Sequence, residues 1–393
     1  MKSKSLLIAA TLLTTIRLIA QEPPPPPPTT PPPPTTPPPP KAILVRPGAM
    51  KVEPMLDPES IPLAKPLESD AAVQGKPSGD DAVKLQVFLD QLNFGPGVID
   101  GKPGLFTEHA VNAWNEVNGH PIDDWSAVMD TARKGVSEPF TTVIVPDILV
   151  KWVNPKLPND RILQSKTKRL SYRSAGELMA ERYHTDLEYL LELNGSKKVY
   201  NLKAGSELKV PNVTPFLIEK IAGIQHKNNE ATAQRHVVVD TKRNQLRIFE
   251  ATPVALVIEE EPADGSDTPA KPAANRSLIA TFPITPGQQR FIHYGMWEVR
   301  NCVEFPSWRY DKSLLETGKR STDPSKVYDL PSGPNSPVGI MWCGLSKSGI
   351  GLHGTADPET IGRAQSAGCI RLSNWDVIRL PTLISPGTSV EIR

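Results

Sequence analysis

Apolar residues are spaced in two regimes along the chain, a helical one before about residue 211 and an alternating one after Arg235. Leu85, Phe88, Leu89 and Leu92 recur at i, i+3, i+4 and i+7, which predicts an amphipathic helix across Val83 to Leu92. Gly95-Pro96-Gly97 ends it and Asp100-Gly101 makes a second turn. Thr107 is then expected to cap another helix carrying Ala110, Val111 and Trp114 on one face. Leu178, Met179 and Tyr183 predict a further helix, and Leu187, Leu190, Leu191 and Leu193 a fourth. Asn194-Gly195 is the turn after it, and Leu208 to Pro211 reads as a closing strand. Beyond Arg235 the period shortens. His236 to Asp240 and Gln245 to Phe249 flank Thr241-Lys-Arg-Asn244 as a hairpin, and Ser277 to Ile284 extends the sheet. Glu259 to Arg276 is acidic and poor in apolar residues, as expected of an exposed insertion between strands.

The first 80 residues have neither period. Met1 to Gln21 has a positive start at Lys2 and Lys4 followed by the apolar stretch Leu6 to Ile16, the pattern of an export signal. Arg17 interrupts that stretch. Cleavage near Ala20 and retention as an N-terminal anchor are therefore both open; no later segment is apolar enough to span a membrane. Pro23 to Pro40 is proline broken only by two Thr pairs, which favours a polyproline II rod of roughly 55 Å at ~3.1 Å per residue. It reads equally as a semi-rigid spacer or as an inert tail, and the Pro-rich composition runs on to about Pro77. Of the 393 residues, 43 are proline, many of them here.

Charge removes one class of function. Lys+Arg 44 against Asp+Glu 43 leaves a formal net charge of +1, without the basic footprint of a nucleic-acid binder. Nor does any His/Cys/Asp/Glu group have metal-ligand spacing, and no cofactor motif is present. The three cysteines, Cys302, Cys343 and Cys369, are an odd number for an exported protein, so a Cys302–Cys343 disulfide with Cys369 left as a thiol is one expectation.

The chemistry concentrates in Gly351-Leu-His353-Gly354-Thr355 and Ser366-Ala-Gly368-Cys369-Ile-Arg371-Leu372. A thiol with an ordinary pKa of about 8.5 is only slightly ionised near neutrality and needs a base, which an imidazole supplies. His353 and Cys369 are too far apart for one helix or one hairpin turn, so tertiary folding must bring them together. Ser373 and Asp376 form a capping box for a helix ending before Pro381. The backbone N–H groups just before it would lower the thiol pKa and hold an oxyanion.

Together with Gly333-Pro-Asn-Ser-Pro-Val-Gly339, these two segments closely resemble the active site of L,D-transpeptidases of the YkuD type. The resemblance implies a mostly β catalytic domain over residues 235–393. Cys369 would be the nucleophile, His353 the general base and then acid, and the Gly354 carbonyl the group that orients the imidazole. It further implies that the N–H groups of Cys369 and Gly368 form the oxyanion hole, that Arg371 engages a substrate carboxylate, and that Ser366 fixes the loop by hydrogen bonding. Leu85-Gln86, Asp100-Gly101, Thr107 and Ala110-Val111 resemble the small helical peptidoglycan-binding domain (79–155). The run Ala180 to Asn194 resembles the middle of a LysM module, a glycan binder of βααβ order (166–213). For each of these two segments a structural spacer is the alternative.

The resulting expectation is an α+β multidomain chain: signal peptide (1–21), Pro-rich disordered linker (22–78), helical domain, LysM-like segment and catalytic domain. It is expected to be exported to the periplasm or cell wall. Its partners would be peptidoglycan stem peptides and glycan strands, and it would need no cofactor or metal. The implied reaction is thioester formation on a tetrapeptide stem with loss of D-alanine and transfer to an amine, giving a 3→3 cross-link. Water as acceptor would make it a carboxypeptidase or a hydrolase of wall-linked protein, a wall-anchored protein is another acceptor, and a non-catalytic wall-binding scaffold is the distant alternative.

Overall fold

The computed structural model describes residues 51–52, 75–251, 276–287, 289–313, 320–363 and 368–393. The signal segment 1–21, nearly all of the Pro-rich stretch, the body of the acidic insertion, and Ser366 lie outside them.

The helical periodicity yields helices Gly79–Gln91, Leu105–Asn118 and Trp125–Gly135. Their shared core holds Leu85, Leu89, Ala110, Val111, Trp114 and Val128. Thr107 does not cap the second helix. The helix begins at Leu105 after Gly104, with no side-chain cap. Thr107 is instead buried one turn in, where its hydroxyl donates to the Pro96 carbonyl and accepts from Gln86 Nε2, each at 3.4 Å. Gln86 Oε1 accepts from the N–H groups of Asp100 and Gly101 at 3.1 and 2.8 Å. Gln86, Asp100-Gly101 and Thr107 thus form one hydrogen-bonded turn that satisfies buried backbone groups.

The LysM-like segment forms helices Ala175–Arg182 and Leu187–Asn194 and the expected closing strand, Glu207–Pro211. That strand pairs antiparallel with Phe140–Ile144, which precedes both helices and lies inside the range expected for the helical domain. The reason is burial: alternate residues Leu208 and Val210 face the core, and the upstream strand supplies the edge that completes their ladder.

The rest is mostly β. One sheet runs in the order Ile370–Arg371, Gly351–His353, Met341–Leu345, Gly295–Glu304, Ser389–Ile392, His236–Asp240, Gln245–Ala251 and Arg276–Pro283. Two of its pairings are parallel, 351–353 with 370–371 and 389–392 with 236–240. The hairpin expected around residues 241–244 is present, with Asn244 at φ 51. Cys302 and Cys343 sit directly opposite each other on neighbouring strands and are disulfide-bonded. Both are fully buried.

Three segments meet at one polar knot. Asp90 of the first helix accepts from Arg379 of the catalytic domain at 2.9 Å and lies 3.0 Å from His184 Nδ1, which belongs to the loop between the two LysM-like helices. His184 stacks on Trp375 at 5.6 Å. Burial works against ionising Asp90, but the charges of Arg379 and His184 hold its carboxyl well below the usual carboxylate range. The anion is therefore present whenever the chain is folded near neutral pH. Arg379→Ala would leave that buried charge uncompensated and should destabilise the protein by about 3–5 kcal/mol, measured by urea unfolding; a loss below ~1 kcal/mol would show that the knot carries little.

Candidate active site

The pairing that builds the site is the parallel one at the sheet edge. Leu352 faces Ile370 and His353 faces Arg371, while on the other side Trp342 faces His353. Cys369 lies in the bend just before strand 370–371 and shares a buried cluster with Trp342, the residue that stacks on His353. Thr285 exchanges two backbone hydrogen bonds with Arg371, each 3.0 Å, and closes the outer side.

His353 is fully buried. Its Nδ1 lies 2.6 Å from the carbonyl oxygen of Gly354. With Nδ1–H donating there, Nε2 carries the lone pair, and Nε2 is buried with no hydrogen-bond partner. Trp342 stacks on the ring at 5.6 Å and fixes its plane. Gly354 cannot be replaced without cost: a Cβ would collide with the Asn374 side-chain oxygen. Asn374 in turn accepts from Ile340 N–H at 3.2 Å and donates to the Pro334 carbonyl at 3.3 Å, tying the loop 333–339 to the base. Neither Trp342 nor Asn374 carries a sequence signal of this role, because each acts through a contact made only in the fold.

Cys369 is 1 % exposed, and its Sγ donates to the Gly349 carbonyl at 3.2 Å. Burial pushes the thiol up to about 12, opposed by hydrogen bonding to the 349–351 backbone and by Arg371. Burial also takes His353 down to about 3, with the Arg371 charge adding to it and the Gly354 bond opposing. This corrects the expectation of a thiol made acidic by a helix N-terminus. Ser373 does cap the following helix, accepting from Asp376 N–H at 3.1 Å, but that helix is only Asn374–Val377, and desolvation outweighs it. The helix does end before Pro381, which stands at the start of a second short helix, Leu380–Leu383. The thiol and the imidazole are therefore both neutral at rest near neutral pH.

Gly368 has φ +121 and packs against the backbones of Gly287 and Phe291, a position that excludes a side chain. Arg371 is 2 % exposed. Its charge acts on His353, Cys369 and Asp357.

The buried cluster around Cys369 draws on residues from far upstream. Leu157 and Leu170, upstream of the LysM-like helices, share a buried cluster with Cys369, Trp342, Trp308, Leu330 and Val338. Leu170 is held by backbone hydrogen bonds to Ser332 and Asn335, both 3.0 Å. Asn335 Nδ2 donates to the Ser171 carbonyl and to Glu177 at 2.9 and 2.8 Å.

With this geometry in place, similarity to known proteins becomes informative. The YkuD family, the L,D-transpeptidase catalytic domain, matches residues 272–392. These residues are an L,D-transpeptidase catalytic domain of the YkuD family. YkuD of Bacillus subtilis, itself named an L,D-transpeptidase, is 49% identical over 59 residues, which cover 15% of this chain and 36% of that protein. ErfK/SrfK of Escherichia coli K12, also named an L,D-transpeptidase, is 26% identical over 221 residues, 55% of this chain and 58% of that one. The chain therefore spans about a third to somewhat over half of the length of these relatives. L,D-transpeptidase 3 of Mycobacterium tuberculosis aligns over 41% of this chain and 61% of its own, at 16% identity and a TM-score of 0.26. The YkuD-family domain begins at residue 272, yet strands 236–240 and 245–251 belong to the same sheet.

A neutral pair fixes the pH response of the thiol. Alkylation of Cys369 by iodoacetamide should be slow and should rise about tenfold per pH unit from about pH 6 to 9, following the thiolate fraction. A plateau above about pH 7, read by peptide mass spectrometry, would mean the thiolate forms far more easily than its burial allows.

Proposed function

We propose that the chain is an exported L,D-transpeptidase in which Cys369 is acylated by a peptidoglycan tetrapeptide stem. The observation that carries this reading is the 2.6 Å contact from His353 Nδ1 to the Gly354 carbonyl, which leaves the buried Nε2 as the acceptor on a ring stacked against Trp342, a member of the same buried cluster as Cys369. As Sγ attacks the carbonyl that links the L-centre of the stem's diamino acid to D-alanine, its proton passes to Nε2. The C–S bond forms, the C–N bond breaks, and the imidazolium returns the proton to the departing amine of D-alanine. A neutral resting pair suits this sequence, because charge develops only during attack and His353 is available as a base at any pH well above 3.

The N–H of Cys369, with that of Gly368, would hold the oxyanion. Arg371 would bind a substrate carboxylate once the residues around it have moved, since it is buried as the chain now sits. An amine on a neighbouring stem then attacks the thioester, forming the 3→3 amide and returning the thiol. The peptidoglycan-binding-like helices and the LysM-like segment would hold the catalytic domain on the wall, in the periplasm or beyond the membrane. Among the described residues no helix is long and apolar enough to cross a membrane.

Incubation of the full chain with a tetrapeptide stem should give a mass increase on the Cys369 peptide equal to the stem less D-alanine. Cys369→Ala should abolish it, and His353→Ala should slow it by about 10²–10⁴. An adduct that persists at full rate in Cys369→Ala would remove the proposed nucleophile.

A further inference from the structure

A cavity of about 800 Å³ lies between the loop 356–363 and the two LysM-like helices. Its carboxylates are Glu177, Glu181, Asp186, Glu188, Asp357 and Glu359, against only two guanidinium groups, Arg173 and Arg363. Glu177 and Asp186 are engaged by backbone, accepting from Arg173 N–H and Tyr189 N–H at 2.6 and 2.7 Å. Glu181 is different. It is 5 % exposed and lines the cavity, yet its Oε1 is buried with no hydrogen-bond partner. A buried carboxylate oxygen without a donor costs several kcal/mol unless something brings a proton or a cation to it. Burial holds Glu181, Asp357 and Glu359 above their ordinary values, a cost that a bound cation relieves.

The cavity does not suit a metal ion. Among the described residues no group of three or more His, Cys, Asp or Glu side chains is placed to hold one. The carboxylates are spread around a space of organic-ligand size. Its wall also runs directly into the base: Asp357 follows His353-Gly354-Thr355 by two residues and its N–H donates to the Thr355 hydroxyl at 3.2 Å. Asn374, which packs against Gly354, also hydrogen-bonds Glu181.

The geometry points to this cavity as the site that receives the primary ammonium group of the acyl acceptor, with Glu181, Asp357 and Glu359 as its anionic wall. The inference rests on the transpeptidase reading above and gives the LysM-like helices a part in choosing the acceptor. The bound ammonium gives one proton to a wall carboxylate and becomes nucleophilic. On attack, the C–N bond forms, the C–S bond breaks, and the second proton passes through His353 to the departing thiolate.

The test uses the full chain in two arms. In the first, Cys369→Ala protein is titrated calorimetrically with a stem tripeptide ending in a diamino acid with a primary amine, and with the same peptide N-acetylated on that amine. The amine peptide should bind at least about tenfold more tightly, and Glu181→Gln should remove the difference. Because Glu181 is buried and its substitution can impair folding, the pair Asp357→Asn/Glu359→Gln on the more accessible loop should reduce the difference as well. Equal binding of the two peptides, or an undiminished preference in folded variants, overturns the assignment. In the second arm, protein with Cys369 intact is acylated and the products divided into transfer and hydrolysis. Counted per acyl-enzyme formed, Asp357→Asn/Glu359→Gln should lower the ratio of transfer to hydrolysis about tenfold or more; an unchanged ratio also overturns it. Failure of acylation in the unsubstituted protein, with amine-dependent binding intact, would instead overturn the transpeptidase reading and leave the cavity as an ammonium site.

Discussion

Everything chemical in this protein depends on a short parallel ladder. The strands 351–353 and 370–371 share only two residue pairs, Leu352 with Ile370 and His353 with Arg371. A slip of one residue would send Arg371 to the opposite face from His353. The register is held from outside the ladder, by Trp342 opposite His353 on one side and by the paired backbone bonds of Thr285 and Arg371 on the other. Asn374 then pins the loop after His353 through contacts that only glycine at 339 and 354 permits. Two residue pairs thus suffice because the neighbours on both flanks remove the alternatives.

The same burial that fixes this geometry sets its electrostatics. A cysteine and a histidine in water would titrate within a few pH units of neutrality, but here desolvation drives the thiol up and the imidazole down. An ion pair would have to be bought with solvation that the site does not offer, so a resting thiolate and imidazolium are both disfavoured. Leu157 and Leu170, ahead of the LysM-like helices, join Trp308, Leu330, Val338 and Trp342 in the buried cluster that holds Cys369 and contribute to that dry environment. Reactivity and the arrangement of the upstream segments are therefore coupled physically, through excluded water.

What the sequence revealed divides along the same line. Local periodicity marks helix 79–91 and the hairpin at 236–249, because each is decided by residues a few positions apart. The His353 and Cys369 segments stand out through their glycines and their reactive side chains. The partner of Glu207–Pro211 was not legible, since a strand's edge can be completed by any ladder the tertiary fold brings near, here Phe140–Ile144. Thr107 was misread as a cap because a hydroxyl near a helix start serves equally well inside a buried turn with Gln86. The thiol's environment was misjudged for a related reason: sequence shows the helix that follows Cys369 but not the leucines that cluster with it.

The disulfide has a consequence for how the chain matures. Three cysteines allow three pairings, and two of them would consume Cys369. Cys302 and Cys343 lie on adjacent antiparallel strands, whereas the ladder bearing residue 369 is separated from them by the strand 351–353. Closing the 302–343 bond as soon as those two strands meet would withdraw both competitors before the last strands dock. In an oxidising compartment, the order in which strands assemble would then decide whether a molecule emerges with its reactive sulfur intact.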